Sequence, residues 1–391
     1  MAKKKTTTAA TKAALLAKTK RRGVDPKDLL KTGSTVLDLA LSGTRAGGFP
    51  KGKYIWVVGD SSSGKTWLTL TCMAEATLNP EFKDYRLIYD NVEDGALMDF
   101  ARYYGQAMAD KVEPPAWGTY KKATGGRLVF AADPAKTPTN PAMSLRSEDF
   151  YANLDDALKR AEDKGEQFIY VLDSMDALDS KYAQTKFQEA KRETRGGAKA
   201  KGDYGDGKAK LNSTHLRGMV NRLSETNSIL IVLSQTRDNI DAGMFDPKQT
   251  SAGGRALRFY ATVQLWSSVG GAIKKQVAGK DVKVGINCRV QVKKNRLTGR
   301  DTTVEFPILY DTGIDDIGGM VDFLVTWKYW TKNDQGLIDV SRDFDRDKLK
   351  REPLIQWLDV NDLRDDLEDI VADAWVDLMA KVKMERKSKY V

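Results

Sequence analysis

Residues 59–66 have the types and the spacing of a phosphate-binding loop. They follow an apolar run and match the pattern G-x-x-x-x-G-K-[ST] at every position. Glycines there let backbone N–H groups turn inward around a phosphate, and the start of the following helix adds partial positive charge. We expect Lys65 to reach the β- and γ-phosphates of a nucleoside triphosphate and the Thr66 hydroxyl to hold Mg²⁺. The members of the loop are Gly59, Asp60, Ser61, Ser62, Ser63, Gly64, Lys65 and Thr66.

Carboxylates at the ends of two other apolar runs are candidates for the remaining chemistry. Asp173 ends one run, and a carboxylate in that position beside a phosphate-binding loop completes a magnesium shell. Its alternative role is to cap a following helix. Asp90, Glu93 and Asp94 follow the other run, and one of them could orient or deprotonate an attacking water molecule. Spacing alone does not choose among these three.

The elements that must position these residues alternate between buried strands and helices. Short apolar runs separated by helical stretches indicate a mostly parallel, twisted sheet with helices on both faces, hence an α/β fold. The later strands are joined by short turns and predict an antiparallel extension of the same sheet. The expected parallel strands are 54–58, 87–89, 168–172 and 229–233, the helices are 67–77 and 96–104, and the antiparallel strands are 261–267, 287–293 and 303–309.

Three segments divide the chain in this interpretation. Residues 1–30 are a basic N-terminal segment, either a flexible tail or a segment that docks on a neighbouring subunit or on DNA. Residues 31–317 form the core, and residues 318–391 form a small α/β C-terminal domain. Apolar residues at helical spacing predict one amphipathic helix over 363–382 in that last domain.

Three stretches look like loops, because they are polar and rich in glycine, proline or lysine. They are residues 105–146, 180–210 and 236–254. Long structureless stretches inside a compact domain are usually functional or disordered. The second is unusually basic, which indicates either a solvated loop or a contact with phosphates.

Composition excludes several classes of protein. The chain has 391 residues and a formal net charge of +9, which fits a nucleic-acid partner without establishing one. Cys72 and Cys288 lie far apart, so neither a disulfide framework nor a cysteine metal site is expected. His215 is the one histidine, which excludes Ser-His-Asp catalysis and histidine-zinc chemistry. No apolar run reaches the ~18 residues of a membrane span. We expect a protein of the cytoplasm, in a bacterium or a phage-infected cell.

Seven motifs, in order along the chain, resemble those of RecA-type recombinases. The resemblance covers residues 30–325 apart from two insertions, and it implies a RecA-like P-loop NTPase core. The Glu93-Asp94-Gly95 variant and the length favour a phage UvsX-like member. The motifs are 32–41 (TGSTVLDLAL), 47–52 (GGFPKG), the phosphate-binding loop, 171–178 (VLDSMDAL), 234–237 with 253–261 (SQTR, GGRALRFYA), 292–296 (VKKNR) and 308–314 (ILYDTGI).

The resemblance assigns roles around the nucleotide. It implies that Glu93 activates water and that Gln235 senses the γ-phosphate. Phe100 and Tyr310 would flank adenine on its two sides. A further pair of cations, Lys294 and Arg296, would reach across a subunit boundary to the ATP of a neighbour.

The resemblance also implies DNA-binding loops near residues 180–217 and 236–254. Phe245 would insert between bases, with Met244 beside it, since an apolar wedge is a recognised way to space bases. Lys210 and Arg217 would contact phosphates from the first loop, and Arg289 would belong to a second DNA site. The implied DNA-binding residues are Lys210, Arg217, Arg237, Met244, Phe245, Gly253, Gly254 and Arg289.

The function implied is ATP-dependent homologous recombination, with Mg²⁺ as the metal. A helical filament of this chain would bind single-stranded DNA, sample homologous double-stranded DNA and release the product on hydrolysis. Single-strand-binding and mediator proteins would be its partners, and no interaction with a membrane is expected. Two alternatives share the core: a helicase-like DNA motor, and a regulator that binds ATP and DNA without much turnover.

Overall fold

The structure is a computed structural model. It describes residues 24–93, 95–96, 98–113, 115, 143–179, 185, 206–238, 249–251, 255–383 and 386, with backbone alone at 206–207, 237–238 and 249–251. Its strands are β1 Leu29–Leu30, β2 Phe49–Pro50, β3 Tyr54–Gly59, β4 Arg86–Asn91, β5 Val112–Glu113, β6 Phe168–Asp173, β7 Ile229–Asp238, β8 Gln249–Ser251, β9 Val263–Val277, β10 Lys280–Asn295, β11 Thr303–Leu309, β12 Gly313–Ile314, β13 Thr331–Lys332 and β14 Ile338–Asp339. Its helices are α1 Thr35–Ser42, α2 Lys65–Leu78, α3 Phe100–Tyr104, α4 Gln106–Lys111, α5 Ser147–Lys164, α6 Asp206–Thr226, α7 Arg255–Tyr260, α8 Asp316–Thr326, α9 Arg351–Val360 and α10 Arg364–Lys381.

One large sheet runs through the molecule in the order β12-β11-β10-β9-β3-β7-β6-β4-β5, with β8 paired to β7. The strands from β9 through β3 to β5 are parallel, and those from β9 to β12 are antiparallel. The predicted α/β sheet with an antiparallel extension is therefore confirmed. Parallel register places Gly59 opposite Gln235 on β3 and β7, and Asn91 opposite Asp173 on β4 and β6. The carboxyl ends of these four strands thus meet at one edge.

Helices cover both faces of the sheet, as the continuous apolar runs predict. Along β3, Ile55 and Val57 pack into one hydrophobic cluster with α1 and α2. Tyr54, Trp56 and Val58 pack into another with α5 and α6. The period-2 alternation of a strand explains this division. Among the helices described, none is long and apolar enough to cross a bilayer.

The C-terminal segment packs on the first of these clusters. Helix α8 begins at Asp316, so it crosses the expected boundary between residues 317 and 318. Its residue Met320 and Trp375 of α10 belong to the same hydrophobic cluster as α1. Helix α10 lies within the predicted 363–382. The division into three domains stays a prediction.

Several predicted elements have other bounds in the structure. Strands β9 and β10 are much longer than 261–267 and 287–293, because they continue as an exposed, polar hairpin that no apolar run marks. The expected helix 96–104 begins only at Phe100, where the Asp99 side chain accepts a hydrogen bond from the N–H of Arg102 (3.2 Å).

The three expected loops also contain regular structure. Helix α4 lies within 105–146, and helix α6 begins within 180–210. The end of β7 and the paired strand β8 lie within 236–254. Short polar elements of this kind carry no apolar periodicity, so composition alone mistook them for loops.

Candidate functional site

The phosphate-binding loop joins the end of β3 to the start of α2. Gly64 has φ +93°, and a Cβ built on it would lie 2.5 Å from Cδ1 of Ile308. A Cβ on Gly59 would lie 2.2 Å from Oγ of Ser267 on β9. Backbone conformation and close neighbours therefore require glycine at both positions. The Ser63 hydroxyl also bonds to that of Ser267 (2.7 Å), which fixes the loop to the sheet.

Lys65 is folded back onto its own loop. Its Nζ donates to the carbonyl oxygens of Gly59 (2.8 Å) and Asp60 (2.7 Å). Burial lowers the pKa of Lys65, and the nearby carboxylates of Asp173 and Glu93 oppose that shift. A buried ammonium group at the start of a helix is thus held at the mouth of the loop.

Thr66 and Asp173 meet beside that ammonium group. Oγ1 of Thr66 donates to Oδ2 of Asp173 (2.9 Å), and the buried Tyr89 hydroxyl donates to the same oxygen (2.6 Å). Burial raises the pKa of Asp173, while the two donors oppose the rise. A hydroxyl and a carboxylate are hard oxygen ligands of the kind that Mg²⁺ prefers, so this pair fits a magnesium ion.

Glu93 and Asp90 occupy very different surroundings. Asp90 is fully buried and accepts hydrogen bonds from the N–H of Ser144 (2.9 Å), its hydroxyl (2.5 Å) and the Tyr170 hydroxyl (2.7 Å). Burial raises the pKa of Asp90, and these donors oppose the rise. Glu93 instead lines an open cleft of ≈ 600 Å³ beside Gln235. The geometry therefore favours Glu93 over Asp90 as the carboxylate that meets water. Asp94 lies outside the described residues.

Gln235 connects that cleft to the end of β7. Its Nε2 donates to Oε1 of Glu93 (3.0 Å), and its backbone N–H donates to Oδ2 of Asp176 (2.7 Å). The Ser174 hydroxyl donates to the same Oε1 of Glu93. The sequence did not single out Ser174 or Asp176, although both lie in the motif 171–178.

Phe100 is a core residue in this structure. Its side chain is fully buried, with its ring against that of Tyr104 (centroids 5.9 Å apart), and its expected contact with adenine stays a prediction. Partly exposed rings lie nearby instead: Trp67 meets Tyr103 edge-on at 5.1 Å. Tyr310 is 43% exposed and remains an expected neighbour of adenine. The sequence did not single out Trp67, although it directly follows the loop.

Lys294 and Arg296 lie away from the phosphate-binding loop of their own chain. The register places Asn295 of β10 opposite Val263 of β9, and Val263 opposite Ile55 near the start of β3. The phosphate-binding loop instead follows the end of β3. Ile55 and Gly59, where the loop begins, are four residues apart on β3, a distance of about 13 Å along the strand. Nζ of Lys294 donates to the carbonyl oxygens that end helix α7, those of Arg258 (2.8 Å) and Phe259 (2.9 Å).

Lys294 carries a shifted pKa. Partial burial, together with the neighbouring guanidinium groups of Arg296 and Arg258, lowers the pKa of Lys294 to about 8. Nη2 of Arg296 also donates to the Phe259 carbonyl oxygen (3.2 Å). Both cations therefore cap the carboxyl end of α7, where positive charge is favourable.

The expected DNA-binding residues are spread over several elements. Lys210 and Arg217 are exposed on helix α6, so their placement on a loop is corrected. Arg289 lines a second cleft, of ≈ 450 Å³, and pairs with Glu305 (2.5 Å). For Arg237 the structure gives only the backbone, on β7. Met244, Phe245, Gly253 and Gly254 lie outside the described residues.

Comparisons with known proteins agree with this geometry. The family model of the RecA N-terminal domain matches residues 3–86 and 153–315. Protein RecA of Methylococcus capsulatus is 30% identical over 314 residues, which cover 75% of this chain and 69% of that protein. Protein RecA of Gluconobacter oxydans is 29% identical over 312 residues (77% and 72%), and that of Colwellia psychrerythraea is 28% identical over 317 (78% and 72%). These relatives are bacterial, so the phage UvsX-like subtype stays a prediction.

Proposed function

This chain belongs to the RecA family of DNA recombination proteins, and we propose that it hydrolyses ATP within a helical filament on single-stranded DNA. The filament pairs its strand with a homologous duplex and exchanges strands. Single-strand-binding and mediator proteins are its expected partners. The observation that carries the proposal is the meeting of five groups at one edge of the sheet: Lys65, Thr66, Asp173, Glu93 and Gln235.

Binding of ATP uses the loop and its lysine. Backbone N–H groups of the loop and the start of α2 face the phosphates, and Lys65 leaves the carbonyl oxygens of Gly59 and Asp60 to contact them. Thr66 and Asp173 would hold Mg²⁺, which neutralises charge on the β- and γ-phosphate oxygens when bound. The hydroxyl–carboxylate pair is already in contact, so little rearrangement is needed.

Hydrolysis needs a base for water, and the position of Glu93 in the cleft supports that role. Ser174 and Gln235 both donate to its Oε1, which fixes the carboxylate at the wall of the cleft. Glu93 accepts the proton of the attacking water, and Lys65 stabilises negative charge that develops on the phosphoryl oxygens.

Gln235 couples the nucleotide to DNA in this proposal. Its side chain contacts Glu93, while its backbone lies on β7, the strand that leads into residues 239–248. A change in the contacts of its amide group on γ-phosphate binding would therefore move the end of that strand. The expected wedge, Phe245, lies in the segment that follows.

Assembly completes the site in the proposed filament. Lys294 and Arg296 lie level with the amino end of β3, away from their own loop, which supports a role at the ATP of a neighbouring subunit. Phe259, whose carbonyl oxygen they both contact, has a side chain that is 65% exposed. An exposed aromatic beside two cations suits a subunit interface.

ATP turnover and filament formation test this proposal together. We expect ATPase activity that single-stranded DNA stimulates, and helical filaments by electron microscopy with ATP and DNA. Lys65→Ala should remove turnover while the protein stays folded, whereas Lys83→Ala, the loss of an exposed lysine, should leave it unchanged. Normal turnover in folded Lys65→Ala, or rings in place of filaments, would contradict the proposal.

A further inference from the structure

We propose that Tyr89 is a positioning residue, which holds the Asp173 carboxylate in the orientation that binds Mg²⁺. The proposal rests on the proposed nucleotide site and adds to it a residue that neither the loop motif nor the resemblance singled out. Tyr89 lies on β4, the neighbour of β6, and its hydroxyl donates to Oδ2 of Asp173 at 2.6 Å.

The register of the two strands explains how the tyrosine reaches that carboxylate. Tyr89 is opposite Val171, two residues before Asp173, so its side chain and that of Asp173 lie on the same face of the sheet. The ring packs in the hydrophobic cluster of α1 and α2, with no exposed surface. A tyrosine packed in this way has one fixed position for its hydroxyl, so the carboxylate it meets is fixed as well.

Two donors converge on the same oxygen of Asp173. Thr66, an expected magnesium ligand, donates to Oδ2 at 2.9 Å, and Tyr89 donates to it from the sheet side. If the Thr66 hydroxyl oxygen bound Mg²⁺, the hydrogen bond from Tyr89 would still hold the carboxylate in place. Outer partners of metal ligands are typically worth about 10- to 100-fold in metal affinity.

The molecule contains a matched pair for comparison. Tyr170, on the adjacent strand β6, is also fully buried, and its hydroxyl donates to Oδ2 of Asp90 at 2.7 Å. Asp90 is held by Ser144 as well and is fully buried. Both tyrosines thus make the same kind of bond to a buried aspartate, but only the partner of Tyr89 is an expected metal ligand.

The test is a Mg²⁺ titration of nucleotide binding, which needs no turnover. Binding of a fluorescent ATP analogue is followed as Mg²⁺ is added to wild type, Tyr89→Phe and Tyr170→Phe. We expect Tyr89→Phe to raise the half-saturating Mg²⁺ concentration about 10-fold, with metal-free nucleotide binding unchanged within about 2-fold. Tyr170→Phe should leave the half-saturating concentration at the wild-type value.

Other outcomes of this titration would contradict the proposal. An unchanged Mg²⁺ titration in Tyr89→Phe would overturn it, and so would an equal shift in both variants. Metal-free nucleotide binding that weakens as much as Mg²⁺-dependent binding in Tyr89→Phe would also overturn it, because the effect would then not pass through the metal. Wild type without Mg²⁺-dependent nucleotide binding would instead refute the proposed function, before any variant is compared.

Discussion

The hydroxyl of Thr236 donates a hydrogen bond to Oδ1 of Asp60, so the end of β7 is tied directly to the phosphate-binding loop. Thr236 follows Gln235 and borders both clefts. The loop that binds ATP and the strand that leads toward the expected DNA wedge therefore share a contact that does not pass through Gln235. We expect this contact to give a second route by which a bound nucleotide acts on the proposed DNA-binding segment.

Thr236→Val should separate nucleotide binding from its effect on DNA. The change keeps the shape of the side chain and removes only the donor to Asp60, so affinity for ATP should stay near wild type. Stimulation of turnover by single-stranded DNA should fall several-fold. Thr226→Val, which removes a hydroxyl that donates within helix α6, is the control. Equal DNA stimulation in both variants would mean that the contact with Asp60 only supports the loop.

Glu93→Gln and Asp90→Asn should fail in different ways. Glu93→Gln should bind ATP and lose turnover by about 100-fold or more, because the base for water is gone. Asp90→Asn should instead lower the free energy of unfolding by about 2 kcal/mol, since a buried carboxylate that accepts several hydrogen bonds is replaced. Steady-state ATPase assays and thermal melts measure the two effects. If Asp90→Asn is stable and stops hydrolysis, the roles of the two carboxylates are reversed.

Lys294→Ala should lose activity only in the filament. The variant should bind ATP like wild type and lose DNA-stimulated turnover on the order of 1,000-fold, because a cation from a neighbour no longer reaches the phosphate. Mixing it with Lys65→Ala should restore part of the activity, since one subunit keeps its loop and the other supplies Lys294. Mixed filaments that assemble on DNA and stay at background would place Lys294 outside the mechanism.

The pH dependence of turnover should carry the signature of Lys294. Its pKa is lowered to about 8, so the ammonium is charged below that pH and becomes neutral above it. Only the charged form attracts phosphate, and a nearby phosphate raises the pKa of an ammonium group, so DNA-stimulated turnover should fall at a pH of about 8 or above. Lys294→Arg, which stays charged to a pH of about 12 or above, should flatten this fall. Identical pH profiles for the two proteins would exclude Lys294 as the titrating group.

Stability should change with pH in the opposite direction. The lowered pKa of Lys294 means that the unfolded chain binds more protons than the folded chain between the two pKa values. The stabilisation contributed by Lys294 is therefore fully present above the pKa of Lys294 in the unfolded chain. It is lost as the pH falls through about 8.

DNA binding should depend on salt through helix α6. If Lys210 and Arg217 each contact one phosphate, Lys210→Ala and Arg217→Ala should each reduce the slope of log affinity against log salt by about 0.7 for single strands. Lys159→Ala on α5 is a suitable control, because Lys159 is paired with Asp155 (2.7 Å). Fluorescence anisotropy with a labelled oligonucleotide measures the slopes. A slope that neither variant changes would remove α6 from the DNA-binding surface.

The sequence could predict the parts of the site that depend on a local sequence pattern. The phosphate-binding loop and Asp173 follow from glycine spacing and from a polar residue at the end of a buried strand. The contacts of Tyr89 and Ser174 depend on register between strands far apart in the chain, which no local pattern encodes. The burial of Phe100 could not be predicted either, because an aromatic residue near the site can equally well be a core residue.

The packing of the C-terminal segment has a consequence for how the chain comes apart. Met320 and Trp375 share one hydrophobic cluster with α1, and Glu368 of α10 accepts hydrogen bonds from Lys31 (3.0 Å) and Arg45 (3.1 Å). Cutting the chain before residue 318 would expose that apolar surface and leave those cations without their carboxylate. The segment around residues 31–45 and the C-terminal helices are thus thermodynamically interdependent, and the described body should melt as one cooperative unit.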